Sequence, residues 1–203
     1  MAEIASFPRV EPALVARLAR FGAAVLGDAM GRRGCVDHGL QARWSGATVA
    51  GPAFTAWTRE GDNLAVHEAL EVTAPGDVLV VDGYGATTRA LIGEMIGIKA
   101  RARELAGFVI DGAARDIAEL EALGVAVFSR AQTPAGPFKT GPFELLATVA
   151  IGGVVVHPGD AVVGDRDGVV VVPRQRAAEV LARAEEIAAG EVGKRVANAV
   201  PIR

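Results

Sequence analysis

An α/β fold with a parallel core is what this 203-residue sequence predicts, on three observations. Strand and helix patterns alternate through its middle: VLVVDG, a helix to Ala106, FVIDG, a helix from Ile117 to Leu123, and VAVFSR. Such alternation builds parallel strands through right-handed crossovers. From Ala147 the run ATVAIGGVVVHPGDAVVGDRDGVVVVP consists of short apolar strands divided by Gly, Pro and Asp turns. A segment rich in Ala, Glu and Arg, Arg174 to Asn198, then reads as a helix with Val180, Leu181 and Ile187 on its apolar side, a stripe that follows the closed β core and is expected to pack on a neighbouring subunit. With 51% apolar residues the length fills one core, so we expect one α/β domain over residues 1–173 and a C-terminal helical extension over 174–203.

The elements follow in order. Leu14, Val15, Leu18, Phe21 and Val25 recur at helical spacing between Pro12 and Gly27, with Arg17 and Arg20 on the other side. The next stretch, GDAMGRRGCVDHGL, is dense in Gly and charge and reads as a loop or short helical turn, whose Asp28, Arg32, Arg33, Asp37 and His38 could approach a ligand but read first as solvated loop residues. Ala47 to Trp57 reads as a strand broken at Gly51-Pro52. Asp62-Asn63 then opens a helix through Leu70, with Asp62 as N-cap and His67 a packing residue within it. The turn Pro75-Gly76-Asp77 feeds the strand VLVVDGYG, and a helix is expected from Ala86 with a break at Gly93. Gly83-Tyr84-Gly85 is no dinucleotide fingerprint, because Thr88 stands where the third glycine of GxGxxG would be. Beyond Ala131, TPAGPFKTGPF is an extended connection, and Asp165-Arg166-Asp167-Gly168 is a hairpin tip with positive φ at Gly168.

Composition narrows the function. A net charge of −3 with interspersed acids and bases offers no basic stripe for nucleic acid. Cys35 stands alone, which suits a reducing compartment, and no basic-then-apolar leader or membrane-length apolar run is present, so a cytoplasmic protein is expected.

Chemistry concentrates in GEMIGIKARARELAGFVIDGAARD, residues 93–116. It reads as a helix from Gly93-Glu94 through Glu104, a stop at Gly107, a strand Phe108 to Ile110 and a loop Asp111 to Asp116. A helix followed by a parallel strand returns the chain to the same sheet end, so Glu94 and Arg115-Asp116 can converge where α/β sheets bind ligands. Arg matches a carboxylate bidentately, Asp is a hard ligand for Mg²⁺ or Mn²⁺, and helix-start amides favour an anion. Together they describe a site for an anionic, metal-chelating substrate. The competing reading is a surface Glu94–Arg115 ion pair with Asp116 capping the helix IAELEALG.

GPAFTAW, GDNLAVHEAL, PGDVLVVDGYG, the Glu94 to Arg115-Asp116 spacing, FVIDGAARD and PGDAVVGDRDGVVVVP, in this order, resemble the family of 4-hydroxy-4-methyl-2-oxoglutarate aldolases, which includes the regulator of ribonuclease activity A. The resemblance runs from about residue 14 to about residue 195. It implies a compact α-β-β-α sandwich (swivelling β/β/α-like) that assembles as trimers or hexamers. It also implies a divalent-metal (class II) lyase that releases pyruvate from 4-hydroxy-2-oxo diacids, with oxaloacetate decarboxylation as a side activity. On the same resemblance Asp116 is the metal ligand for Mg²⁺ or Mn²⁺ and Arg115 holds the substrate carboxylate and carbonyl. Gly93, Glu94, Met95 and Ile96 supply the helix start that binds pyruvate, and Glu94 orders a water. The family usually has Asp where Glu94 stands, which moves the carboxylate by one methylene. A glutamate from a neighbouring subunit's C-terminal helix completes the site, with Glu191 the candidate and Glu185 and Glu186 the alternatives. A non-catalytic, protein-binding regulator of the ribonuclease-regulator type is the other function the family offers.

The reaction itself asks for these groups. Breaking the C3–C4 bond of a 2-oxo acid, or losing the C4 carboxylate of oxaloacetate, leaves charge on the pyruvyl oxygen, which a cation and a fixed Arg stabilise. A base must take the C4 hydroxyl proton.

Overall fold

The computed structural model describes residues 6–198, with side chains through residue 191, so residues 199–203 of the expected extension lie outside the described residues. Its architecture is organised by strands whose two faces are both apolar. β3 (Val78–Ile92), β4 (Gly107–Ala114) and β5 (Val127–Gln132) run parallel beside the second half of β2 (Val49–Thr58). Leu79, Val81, Phe108 and Ile110 point to one core while Val78, Val80 and Val109 point to another, the period of two that a strand imposes.

The first half of β2 pairs instead with β9 (Ala161–Asp165), which pairs with β10 (Gly168–Val172), both antiparallel. Val162, Val169 and Val171 face the same inner core as Val80 and Val109, and Ala161, Val163, Val170 and Val172 face outward. The two sheet portions thus close on each other. Helices α3 (Leu64–Leu70), α4 (Glu94–Ala102) and α5 (Ile117–Ala122) cover one, and α1 (Pro12–Ala19), α2 (Gly22–Ala29) and α6 (Ala177–Asn198) cover the other. This is the expected α-β-β-α sandwich. Its sheet is mixed, in strand order β1-β5-β4-β3-β2-β9-β10, where β1 is Gln41–Ala42; β6 (Phe143–Leu145) also pairs with β2, and β7 (Val149–Ile151) with β8 (Val154–Val156) forms a separate hairpin.

Five expectations are corrected. β2 is not broken at Gly51-Pro52: Pro52 sits where pairing to β9 ends and pairing to β3 has not begun, so its missing N–H is not needed. Gly51 is required there, since a Cβ would overlap the Gly76 carbonyl oxygen. Residues 86–92 are strand rather than helix. Successive bulges let Ala86, Ala90 and Ile92 pair with Gly112, Ala113 and Ala114, and this sheet pairing overrides the local helical pattern. By the same pairing, Asp111 to Ala114 belong to β4 and not to a loop. Asp111 is buried there, held by Arg130 and by the Gly152 amide (2.7 Å), and Arg130 in turn reaches Asp37 at 3.0 Å, so Asp37 is not a purely solvated loop residue. Finally, the apolar side of α6 is not left for a neighbour: Ala177, Val180, Leu181 and Ala184 are buried against α1, α2 and β10 of the same chain.

The turns Pro75-Gly76-Asp77 and Pro158-Gly159-Asp160 share one device. Each buried Asp accepts a hydrogen bond from the amide three residues before it, Ala74 and His157, and Asp77 adds a bidentate bond from Arg9.

Candidate functional site

The bulges in β3 bring Ile92 beside the end of β4, where the Arg115 amide donates to the Ile92 carbonyl at 3.0 Å. Gly93 and Arg115-Asp116 therefore meet outside the carboxyl ends of two parallel strands, at the start of α4. Asp116 occupies the N-cap position of α5, yet its side chain does not cap that helix. Its backbone is left-handed (φ 53°, ψ 46°), a conformation that costs a non-glycine residue on the order of 1 kcal/mol and concentrates at functional sites. The turn swings the carboxylate away from α5 and onto α4. There Oδ2 accepts the Glu94 amide at 3.0 Å and lies 3.4 Å from Arg115 Nε. This overturns the capping alternative, and no Glu94–Arg115 ion pair forms among the described residues.

Only glycine fits at position 93. A Cβ there would overlap Asp116 Oδ2 and lie 2.9 Å from Arg115 Cγ. Gly93→Ala is expected to push the carboxylate aside and lower kcat/KM by about 10- to 100-fold, the cost of misplacing a catalytic group by roughly 1 Å. The melting temperature should fall by only a few degrees; a wild-type kcat/KM in the folded variant would mean that the Asp116 position does not matter.

The amides at the start of α4 are not all free. Ile96 and Gly97 donate to the Gly93 carbonyl and Glu94 donates to Asp116, which leaves the Met95 amide without an acceptor among the described residues. Glu94 and Met95 are exposed beside it, whereas the Ile96 side chain is buried. Arg115, about 40% exposed (42%), stands between two hollows. One, about 360 Å³, is bordered by Asp116, Gln132 and Thr133. The other, about 160 Å³, is lined by Asn63, His67, Gly93, Met95 and Lys139.

Asn63, His67 and Lys139 are site-lining residues that sequence reasoning missed or set aside. Lys139 arrives on the connection 133–141, strapped down by the fully buried Asp62. That carboxylate accepts the amides of Thr140 (2.7 Å), Gly141 (3.0 Å) and Leu64 (2.9 Å). Burial works against its charge, but the hydrogen bonds from Thr140, Leu64 and Gly141 outweigh it and hold the carboxyl below its usual pKa. Asp62 is thus a strap anchor; Asn63 holds the N-cap position of α3, without a side-chain cap bond. His67 is not a satisfied packing residue: its Nε2 is buried without a partner among the described residues. Burial, with Lys139 and Lys99 nearby, lowers its pKa below the usual imidazole value.

The C-terminal glutamates do not reach this site within one chain. Glu185 pairs with Arg17 at 2.6 Å and Glu186 with Arg183 at 2.8 Å. Glu191 borders a different depression of about 600 Å³ with Asp28, Arg32 and Arg183.

The donor set suits a mostly hydrated divalent cation. Among the described residues Asp116 Oδ2 is engaged while Oδ1 has no partner, the side chain is open to solvent (38%), and no cluster of three or more His, Cys, Asp or Glu able to hold a metal occurs. A hard ion bound through one carboxylate, with waters and substrate filling the rest, fits this, as Mg²⁺ prefers. No helix among the described residues is long and apolar enough to cross a membrane.

Comparison with known proteins bears on the family and the fold. A "Putative 4-hydroxy-4-methyl-2-oxoglutarate aldolase" of Halalkalibacterium halodurans is 44% identical over 138 residues, 68% of this chain and 66% of that protein. The chain thus spans about two thirds of that relative's length. The crystal structure of Streptomyces coelicolor RraAS2, described as an unusual member of the RNase ES inhibitor RraA protein family, superposes with a TM-score of 0.84 at 33% identity, covering 94% of this chain and 99% of that one. The RNA-processing inhibitor RraA from Thermus thermophilis gives 0.68 at 31%, covering 74% of this chain and 91% of its own. The RraA-like family model, described as Aldolase/RraA, matches residues 23–171, and the chain belongs to that family.

Proposed function

We propose that the protein is a divalent-metal-dependent lyase that cleaves 4-hydroxy-2-oxo diacids, such as 4-hydroxy-4-methyl-2-oxoglutarate, to pyruvate and a second keto acid, and that it also decarboxylates oxaloacetate. The observation that carries this reading is the left-handed Asp116, whose carboxylate is turned from its own helix to the start of α4 beside Arg115. A purely structural aspartate at a helix N-cap would bond its own helix. When bound at Asp116, Mg²⁺ or Mn²⁺ would supply Lewis-acid stabilisation of charge on the 2-oxo oxygen. Arg115 holds the substrate's carboxylate and carbonyl with its planar fork and adds fixed positive charge where the enolate forms. The Met95 amide and the positive end of α4 bind the same carboxylate. Glu94, exposed at the first turn, holds the water that takes the C4 hydroxyl proton.

We propose further that the protein works as a trimer or hexamer in which Glu191 of one subunit completes a neighbour's site. Glu191 lies apart from Asp116 within one chain and near the outer end of α6, which agrees with such an arrangement.

A regulatory reading draws on the two structural neighbours described as ribonuclease or RNA-processing inhibitors. The two are separated by following pyruvate with lactate dehydrogenase over a panel of oxo diacids and Mg²⁺. Release from at least one 4-hydroxy-2-oxo diacid is expected; release from none, with inhibition of a ribonuclease instead, would establish the regulator.

A further inference from the structure

Among the described residues the Arg115 guanidinium has an ion pair with Asp116 at 3.4 Å and no hydrogen bond, so packing sets the direction of its fork. Two glycines face it. The Cβ that Gly93 lacks would lie 3.1 Å from Arg115 Nε, and the one that Gly136 lacks would lie 3.3 Å from Arg115 Nη1. Gly93 is fixed between β3 and α4, whereas Gly136 lies on the connection 133–141.

That connection is tied on both sides of Gly136. The Ala90 amide donates to the Ala135 carbonyl at 2.9 Å, Phe138 bonds through its amide to Gly61 (2.8 Å) and through its carbonyl to Asn63 (3.0 Å), and Asp62 takes the amides of Thr140 and Gly141. Between these ties Gly136 and Pro137 form no backbone hydrogen bond among the described residues. One side chain fills the gap: Arg89 Nη1 donates to the Gly136 carbonyl at 2.7 Å. The Arg89 guanidinium also lies 4.2 Å from the centre of the Phe138 ring, and its stem rests on Gly61, where a Cβ would come within 2.9 Å of Arg89 Cδ. Phe138 is 47% exposed, so this arrangement takes little apolar surface from water. A strap already tied at Ala135, Phe138 and Thr140 does not need the Arg89 bond to fold, and the bond falls on the residue that faces Arg115.

We infer that Arg89 is a positioning residue for Arg115: it holds the Gly136 peptide as a wall against the guanidinium and so sets the plane in which the fork meets a carboxylate. The catalytic effect of this placement rests on the aldolase reading; the placement itself rests on geometry alone. A tilted fork keeps its charge and loses its bidentate fit, so slack at Gly136 lowers the rate. Arg89 borders neither hollow beside Arg115 and acts through the strap.

The test is a double-mutant cycle on the full chain with Mg²⁺, following pyruvate release from 4-hydroxy-4-methyl-2-oxoglutarate. Arg89→Met keeps the stem over Gly61 and removes the donor to Gly136. It should lower kcat/KM about tenfold in an otherwise wild-type chain, and by no more than about twofold beside Arg115→Lys, whose fork is already gone. Arg89→Lys returns a donor and should recover most of the loss. Equal losses in both backgrounds, or none in the folded variant, would overturn the inference and leave Arg89 a structural residue. Should Arg89→Met not fold, Arg89→Gln is read in the same cycle. Crystal structures of the wild type and the Arg89 variant give a readout that needs no activity: the Arg115 guanidinium should move or divide between orientations, and one that keeps its wild-type place would overturn the inference. A wild-type chain that releases pyruvate from no 4-hydroxy-2-oxo diacid would instead overturn the aldolase reading, and the crystal structures alone would then decide whether Arg89 sets the fork.

Discussion

Arg115→Lys is expected to lower kcat/KM by about 30- to 1000-fold, or roughly 2 to 4 kcal/mol at the transition state, while the protein unfolds at nearly the wild-type temperature. The charge survives this substitution but the planar fork does not, and the fork is what holds a carboxylate and a neighbouring carbonyl together. Stability should be little affected because Arg115 is 42% exposed, and its ion pair to Asp116 is a half-exposed pair of adjacent residues. Steady-state kinetics and a melting curve on the same preparation check both halves. Wild-type kinetics would make Arg115 a surface residue and misplace the site.

Asp116→Ala is expected to remove nearly all activity, a loss of roughly 4 kcal/mol or more, in line with the several kcal/mol a Lewis acid supplies. Relief of the left-handed backbone does not compensate, since Ala tolerates that region no better than Asp. The same variant tests the intersubunit proposal. Co-expressed with Glu191→Ala subunits and purified through two tags, it should give mixed oligomers that regain a measurable fraction of wild-type activity, because some sites then hold both residues intact. No recovery in oligomers shown by mass spectrometry to be mixed would mean that both residues serve one subunit's site or that Glu191 has no role in it.

Most of the fold was legible in residue order. Val78 to Val81 and Phe108 to Ile110 are too continuously apolar for a one-sided sheet, and that alone argues for parallel strands buried on both faces. Glu94 and Arg115-Asp116 were legible because spacing fixes which sheet end they share. Residues 86–92 were misread because their strand state depends on bulged pairing with Gly112 to Ala114, a partner twenty and more residues away that no local window contains. Asp111 was misread for the same reason: its burial is set by Arg130 and Gly152, both supplied by distant segments. Asn63, His67 and Lys139 come together only because Asp62 ties down the connection 133–141, and nothing in GDNLAVHEAL or TPAGPFKTGPF announces the other. The stripe on α6 was visible, but its partner was misassigned, since three helices sharing one sheet face can be told from two only once they are packed.

The account's central claim is that Asp116 and Arg115 frame a centre that needs a divalent cation to release pyruvate. Its most direct test is pyruvate release from 4-hydroxy-4-methyl-2-oxoglutarate by wild-type protein stripped with EDTA, verified metal-free by elemental analysis, and then titrated with Mg²⁺ or Mn²⁺. The stripped protein should be inactive and either ion should restore it in a saturable way. Full activity in the verified metal-free protein would contradict the claim.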